Sequence, residues 1–376
     1  TALSLLKNFE NKISEGVIVV NKENYRKVKG FKCFSSGHPV PDKNGLLASL
    51  HIEKKLHSLS EKDLVLFFLS GGGSALLPYP SANIKIEQKV SLNRKLLNSG
   101  ADIKEINTVR KHLSKIKGGN LLKMSFPAKV HSFILSDVIG DDLSSISSGP
   151  TVPDETSFND VKKILRKYNL WNDIHKSIKA HIELGIFDKS LETPDKTNKV
   201  FLNVENTLIG SNNLCLKSID SFCEKKNINS KIWKTNIEGD VQDIAKNFVK
   251  DLKKKNYKKP IILISGGEST VKIKGKGKGG RNQEFALHFI KNIRKSLSNL
   301  KFTLLSAGTD GRDGPTNAAG AIVNDKSLDL IENKNINLNK ELENNNSYQV
   351  LKKINSLVII NGTNTNVADI QLLMIN

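Results

Sequence analysis

Five short apolar runs, at residues 64–69, 130–135, 261–264, 302–305 and 357–360, each break off into a cluster of Gly, Ser, Asp or Asn. Helix-period patterns follow these clusters. Unbroken apolar runs of this length predict strands buried on both faces, as in parallel sheets. Ligands of such sheets bind beyond the carboxyl ends of the strands, so the five polar clusters mark a candidate site. Turns need Gly and Asp for their own geometry, which accounts for one or two such ends and not for five. Residues 158–258 read as charged amphipathic helices around one weaker strand at 199–204, with a turn near Thr193-Pro194. A domain boundary is expected at 245–258, where a Lys-rich helix ends at Lys259-Pro260. Two Ser-Gly-Gly turns, at Ser70 and Ser265, each follow an apolar run and point to two domains presenting similar strand-end loops to a shared cleft.

A chain of 376 residues, 38% hydrophobic and 26% charged, fits two globular α/β domains. No apolar run approaches the ~18 residues that span a bilayer, and the opening residues are charged and amphipathic, which predicts a soluble, cytoplasmic protein with no membrane partner. Cys33, Cys215 and Cys223 have no metal or redox spacing. The formal charge of +20 is spread over lysines throughout the chain, and aromatic residues are few. That favours a solvated basic surface over a nucleic-acid stripe, with a modest pull on anionic substrates. At the start, Ala2, Leu5, Leu6, Phe9 and Ile13 trace one apolar helical face that stops at Gly16. With no N-cap ahead of it, this helix reads as one already under way, so the chain is expected to be truncated at its N-terminus.

The polar clusters carry distinct chemistry. In Ser70-Gly71-Gly72-Gly73-Ser74 the glycines would let backbone N–H groups approach a phosphate or carboxylate, and Ser74 would begin the next helix. Arg110, Ser114 and Lys117, with Lys111 beside them, fall on one predicted helix face that runs into Gly118-Gly119, a second candidate phosphate site. Asp137 opens an acidic loop with Asp141 and Asp142, suited to Mg²⁺ or to a general base. Gly266, Gly267 and Glu268 follow the run at 261–264 and are further candidates for binding substrate or phosphate. The stretch 274–281 satisfies GxGxxG at Gly275, Gly277 and Gly280 but alternates glycine with Lys276 and Lys278. Gly279, Gly280 and Arg281 there suit a polyphosphate, with Arg281 offsetting charge on a transferring group. No Walker A sequence occurs. Asp310 can orient or deprotonate a hydroxyl, and Asp313 can hold Mg²⁺; an Asp-rich turn without chemistry has the same spacing.

Together these segments resemble the type II glycerate kinases, the glycerate 2-kinase family with a C-terminal MOFRL domain. The resemblance runs in order through Gly37-His38-Pro39-Val40-Pro41-Asp42, SGGGSALL, VRKHLSKIKGG, SDVIGDD, SSGPTVPD, SGGES, GKGGRNQE and TDGRDGPTNAAGAIV, and closes at Thr365-Asn366-Val367-Ala368-Asp369. It implies a Rossmann-like α/β/α domain at 1–245 and a smaller α/β MOFRL domain at 256–371, with the active site in the cleft between them. It also implies transfer of phosphate from ATP to D-glycerate, giving 2-phosphoglycerate, with Mg²⁺. Arg281 falls on the family's functional arginine. Two departures stand out: the last loop is shorter than the family's GPTGTNV, and the family's N-terminal Gly-Lys-Ala turn with its functional lysine has no counterpart. The competing readings are an NAD(P)H-dependent hydroxypyruvate reductase, supported by GxGxxG alone and lacking the acid due near Lys301, and a sugar-acid or nucleotide-binding module without catalysis. Oligomerisation is left open.

Overall fold

The computed structural model describes residues 7–9 and 12–376. Ala2, Leu5 and Leu6 of the opening apolar face lie outside the described residues. The chain divides into two compact units, one taking in the chain up to Ile134 together with Asp142–Ile209, the other Leu135–Asp141 with Gly210–Asn376.

In the first unit β1 (Gly16–Asn21) pairs in parallel with β2 (Phe31–Ser36). Helix α1 (Lys43–Leu56) follows, its first turn capped by Asp42, whose carboxylate accepts the Gly45 N–H. Strand β3 (Leu64–Leu69) leads through the one-turn helix α2 (Gly73–Leu76) to α3 (Ile86–Asn98), α4 (Ile103–His112) and α5 (Asn120–Ser125). Strand β4 (Lys129–Leu135) pairs in parallel with β3 and has β5 (Val204–Gly210) on its other side. Between β4 and β5 lie α6 (Phe158–Lys167) and α7 (Lys176–Phe187). Phe158, Val161 and Leu165 recur at three and four residues, so one face of α6 closes a helical core with Leu96, Val109 and Ile178. The parallel pairing expected of β3 and β4 is present, but burial on both faces is not: Leu64, Leu66 and Phe68 are exposed while Val65 and Phe67 face the helices. The strand expected at 199–204 is a 3₁₀ turn over Lys199–Asn203, and β5 starts where it ends.

The second unit opens with α8 (Asn212–Lys225), β6 (Ser230–Asp240) and α9 (Val241–Lys254). It continues through β7 (Ile261–Thr270), α10 (Arg281–Ser296), β8 (Phe302–Gly308) and β9 (Gly320–Asn324). Helices α11 (Ser327–Asn333), α12 (Leu338–Glu343) and α13 (Ser347–Lys353), then β10 (Leu357–Val358) and β11 (Asp369–Ile375), complete it. Because α9 joins β6 to β7 and these strands pair in parallel, residues 245–258 lie inside this unit; the compact units divide at Gly210, upstream of the expected boundary. The sheet order is β10-β9-β8-β11-β7-β6. It is mixed, not parallel: β11 runs antiparallel between β7 and β8, and β9 and β10 are antiparallel to their neighbours as well. One consequence positions the site. The carboxyl ends of β7 and β8 and the first residue of β11 meet at one edge, where Asp369 stands opposite Gly267 on one side and Gly308 on the other. Beneath the sheet, Phe248, Phe285, Phe289 and Phe302 pack edge on edge around Leu263, Leu304 and Leu373, each fully buried side chain contributing about 1.5–3 kcal/mol.

The Ser265-Gly266-Gly267-Glu268 segment, expected as a strand-end turn, is part of β7, which continues to Thr270. Gly267 pairs with Ile237 just past an irregularity in β6 and has φ +154°, and a Cβ there would collide with the Ile237 backbone. Gly267→Ala is therefore expected to cost about 1–3 kcal/mol, read as a lower melting temperature. An unchanged melting temperature would show that β6 yields at this point.

Candidate active site

At this edge of the sheet the guanidinium of Arg281, the first residue of α10, is held by two acids. Nε and Nη2 donate to the two oxygens of Asp369 at 2.6 and 3.1 Å, and Nη1 donates to Glu268 Oε1 at 2.7 Å. The two partners differ in kind. Asp369 is buried, with 1% of its side chain exposed, whereas 44% of the Glu268 side chain is exposed. Burial pushes the Asp369 carboxyl up, to about 6, against the pull of Arg281. Burial also works against the Arg281 charge, but the bond and charge of Asp369 outweigh it and hold the guanidinium above its ordinary value. The pair is thus ionised at neutral pH and loosens as pH falls through about 6.

Asp310 sits beside this pair. A Cβ at Gly308 would lie 3.1 Å from Asp310 Oδ1 and 3.6 Å from Asp369 Oδ1, so both carboxylates flank that glycine. Oδ1 of Asp310 accepts the Arg312 N–H at 2.9 Å. The loop before β11 folds back here: Thr363 Oγ1 donates to the Thr309 carbonyl at 2.6 Å, and Thr309 Oγ1 accepts the Val367 N–H at 2.9 Å.

Asp313, expected to hold Mg²⁺, does other work. It is 3% exposed; Oδ1 accepts the Asn282 N–H at 3.1 Å, and Oδ2 accepts the Gln283 N–H and Nε2 at 2.9 and 3.0 Å. These are the first donors of α10, so Asp313 caps that helix from a distant segment and its oxygens are occupied. Gly280 leaves room for it, since a Cβ there would strike the Asp313 carboxyl.

The glycine–lysine loop before Arg281 is likewise spoken for. Asn345 Oδ1 accepts the N–H groups of Lys274 and Gly275 at 2.7 and 3.0 Å, Asn344 accepts those of Lys276 and Gly277 at 3.0 and 2.8 Å, and Asn346 accepts that of Lys278 at 3.3 Å. Cβ atoms at Gly275, Gly277 and Gly279 would strike Asn344, Asn344 and Ser347. These glycines let an asparagine turn approach, and the backbone from Lys274 to Lys278 is not an open phosphate cradle. Gly266 serves packing in the same way, against the Asn212 side chain.

In the first unit the structure separates two groups that the sequence put on one face. Helix α4 ends at His112, so Ser114 and Lys117 lie beyond it. Lys111 is buried and paired to Asp154 Oδ1 at 2.7 Å, and Ser114 Oγ accepts the N–H groups of Ile116 and Lys117 at 3.3 and 3.4 Å; both shape the local fold. Lys117 and Arg110 do meet the Gly71-Gly72-Gly73-Ser74 segment's surroundings. Lys117 Nζ donates to Ser74 O and Oγ at 3.1 and 3.0 Å, Ser74 Oγ lies 2.6 Å from Ser148 Oγ, and Ser148 Oγ donates to Asn107 Oδ1 at 3.2 Å. Gly72 has φ +81° and lies against His38, and a Cβ at Gly73 would strike Ser147. Asp137 is on the loop Leu135–Asp141, which compacts with the second unit. Among the described residues no group of three or more His, Cys, Asp or Glu side chains is placed to hold a metal by itself.

Sequence reasoning named Asp369 at the close of the resemblance without giving it a role, and it missed the asparagine turn. The signal for Asp369 was the apolar run Ile370-Gln371-Leu372-Leu373-Met374-Ile375, which is a strand with an acid at its mouth.

An arginine braced by one buried and one exposed carboxylate gives this α/β fold a fixed cation able to offset charge on an anionic substrate. Residues 1–183 match a domain of unknown function (DUF4147) and residues 261–369 match the MOFRL family. The chain is 38% identical to the glycerate 2-kinase of Pyrococcus horikoshii, over 96% of this chain and 82% of that protein. It is 39% identical to the D-glycerate 2-kinase of Thermotoga maritima, over 96% and 84%. The crystal structure of the Thermotoga maritima glycerate kinase matches with a TM-score of 0.90 at 37% identity, covering 99% of this chain and 88% of that one. The chain belongs to this glycerate 2-kinase family.

If Asp313 is a cap and not a metal ligand, Asp313→Ala lowers the melting temperature, at a cost of about 0.5–2 kcal/mol, and leaves the Mg²⁺ dependence of any activity unchanged. A raised Mg²⁺ requirement in this variant would return Asp313 to the metal.

Proposed function

We propose that the chain transfers the γ-phosphoryl group of ATP to the 2-hydroxyl of D-glycerate, giving 2-phosphoglycerate and ADP. The observation that carries the reading is Arg281, fixed by buried Asp369 and held on its other side by an exposed, displaceable Glu268. Asp369 sets the plane of the guanidinium, and a phosphoryl group displacing Glu268 would take up Nη1. Phosphoryl transfer asks a protein mainly to position groups and offset charge, which such an arginine does.

Asp310 is the candidate base. The hydroxyl oxygen forms a bond to the γ-phosphorus, the bond from that phosphorus to the bridging oxygen of ADP breaks, and the hydroxyl proton passes to Asp310. The donor set fits a hard cation, since Asp310 and Glu268 each engage only one carboxylate oxygen in the protein hydrogen bonds described above. Asp137 remains a candidate oxygen donor, Asp313 having been consumed by α10. When bound, Mg²⁺ would neutralise charge on the β- and γ-phosphate oxygens. The reductase reading loses its one support, because the GxGxxG backbone is taken by Asn344, Asn345 and Asn346.

Arg281→Ala is expected to lower kcat/KM by at least about 10². It also leaves Asp369 buried and unpaired, so the melting temperature falls too. Adding Asp369→Asn removes that buried charge: the double variant melts closer to wild type while turnover stays low. Near-wild-type turnover in either variant would sink the role of Arg281.

Asp310→Asn separates the two duties given to that carboxylate. A base variant loses kcat at every Mg²⁺ concentration, whereas a metal-ligand variant regains turnover as Mg²⁺ is raised. Unchanged kinetics would leave Asp310 as a turn residue.

A further inference from the structure

The first unit contains a cavity of about 390 Å³ between α3, α4 and the Gly72-Gly73-Ser74 turn. Three cations reach it, Lys89 from α3, Arg110 from α4 and Lys117 from the turn after it, with Arg94 also in its wall and, among the described residues, no Asp or Glu in the lining. Val40, Ile86, Val90 and Leu113 supply much of the remainder, and His38 and Ser74 add polar atoms. The partners of the cations are neutral: Lys89 Nζ donates to the Leu113 carbonyl at 2.9 Å, Arg110 Nε to Asn93 Oδ1 at 2.7 Å, and Lys117 to Ser74. Lys117 is 2% exposed. Buried charges of one sign without a counter-ion are strongly unfavourable, and a bound anion is what relieves them.

We propose that this cavity seats the carboxylate of the acceptor acid, with Lys89, Lys117 and Arg110 as its three donors. The assignment deepens the kinase reading and rests on it for the identity of the acid. It adds Lys89, which lies on a helix with no motif, and excludes Lys111, which Asp154 already neutralises. An aliphatic wall around a small cationic focus suits an organic acid better than a free polyphosphate, whose many oxygens would face Val40, Ile86 and Val90.

The lysines also give the site a signature. Burial, then the charge of Arg110, lowers Lys89 to about 7. Burial, then Lys89 and Arg110, holds Lys117 well below the ordinary lysine range. The other titratable groups facing Lys89 are His181, on α7, and His38 and Arg94 in the cavity wall. An anion restores the charged form, so binding takes up protons and affinity falls as pH rises above about 7.

The experiment is calorimetric titration of the full chain with D-glycerate at pH 8, in two buffers of different ionisation enthalpy, beside steady-state kinetics. Proton uptake is expected in wild type. Lys89→Met is expected to weaken glycerate at least about tenfold, in both Kd and KM, with KM for ATP unchanged. Lys89→Arg keeps the charge and restores much of the affinity. Unchanged glycerate Kd in Lys89→Met overturns the proposal, as does a Lys89-dependent loss of ADP or inorganic phosphate binding with glycerate unaffected. If wild type binds glycerate with proton uptake that needs Lys89 yet transfers no phosphate to it, the pocket stands and the kinase reading falls.

Discussion

The ion pair between Arg281 and Asp369 is the constraint around which the second unit is arranged. A carboxylate with 1% of its side chain exposed persists in charged form only beside a cation. To put Asp369 beside the first residue of α10, β11 has to enter the sheet antiparallel between β7 and β8, so that its first residue arrives where they end. The residues directly across from Asp369 on both neighbours are glycines, Gly267 and Gly308. Neither has room for a side chain: a Cβ at Gly267 would strike the Ile237 backbone, and one at Gly308 would strike the Arg312 carbonyl. Asp313 then fixes the start of α10 by accepting its first N–H groups, and Arg281 is aimed from a helix that cannot fray. Three separate segments converge on one side chain, and each convergence is a requirement of burial.

How far this was legible in the chain depends on the distance over which each residue's role is set. The positions of the five strands and the order of the motifs could be read locally, because a strand and the segment after it are contiguous; two of the strands, β7 and β8, run on into the polar clusters expected to end them. The glycine–lysine loop could not be read locally. Its composition has the mark of an open anion cradle, but the groups that occupy its backbone, Asn344, Asn345 and Asn346, lie about seventy residues away. Asp310 and Asp313 are three apart in one turn; only the way the chain leaves β8 makes one a buried cap of α10 and leaves the other beside Gly308, near Asp369.

Lys89 is the clearest case of a role hidden by composition. In a chain with 58 Lys and Arg residues, a lysine on an amphipathic helix reads as solvated surface. What removes it from that background is its neighbourhood: Arg110 and Lys117 arrive from other segments, and no described acid comes with them. Lys111, one residue from Arg110, turns the opposite way and finds Asp154. Adjacent basic residues thus have opposite fates, one neutralised within the fold and one left to a ligand, and the helical wheel does not distinguish them.

The two sites select anions by contrary means. Around Arg281 the positive charge is already matched by Asp369 and Glu268, and Asp310 adds a further negative charge, so a bare polyphosphate gains little there and one accompanied by its divalent cation gains more. Around Lys89 the charge is unmatched and the walls are aliphatic, so a compact carboxylate is favoured and a metal-bound polyphosphate, with its hydrated cation, is disfavoured. An enzyme that must keep a nucleotide and a small acid from occupying each other's positions needs such a difference. Electrostatics of opposite sign provides it without any steric gate, because each ligand would meet like charge or an aliphatic wall in the wrong place.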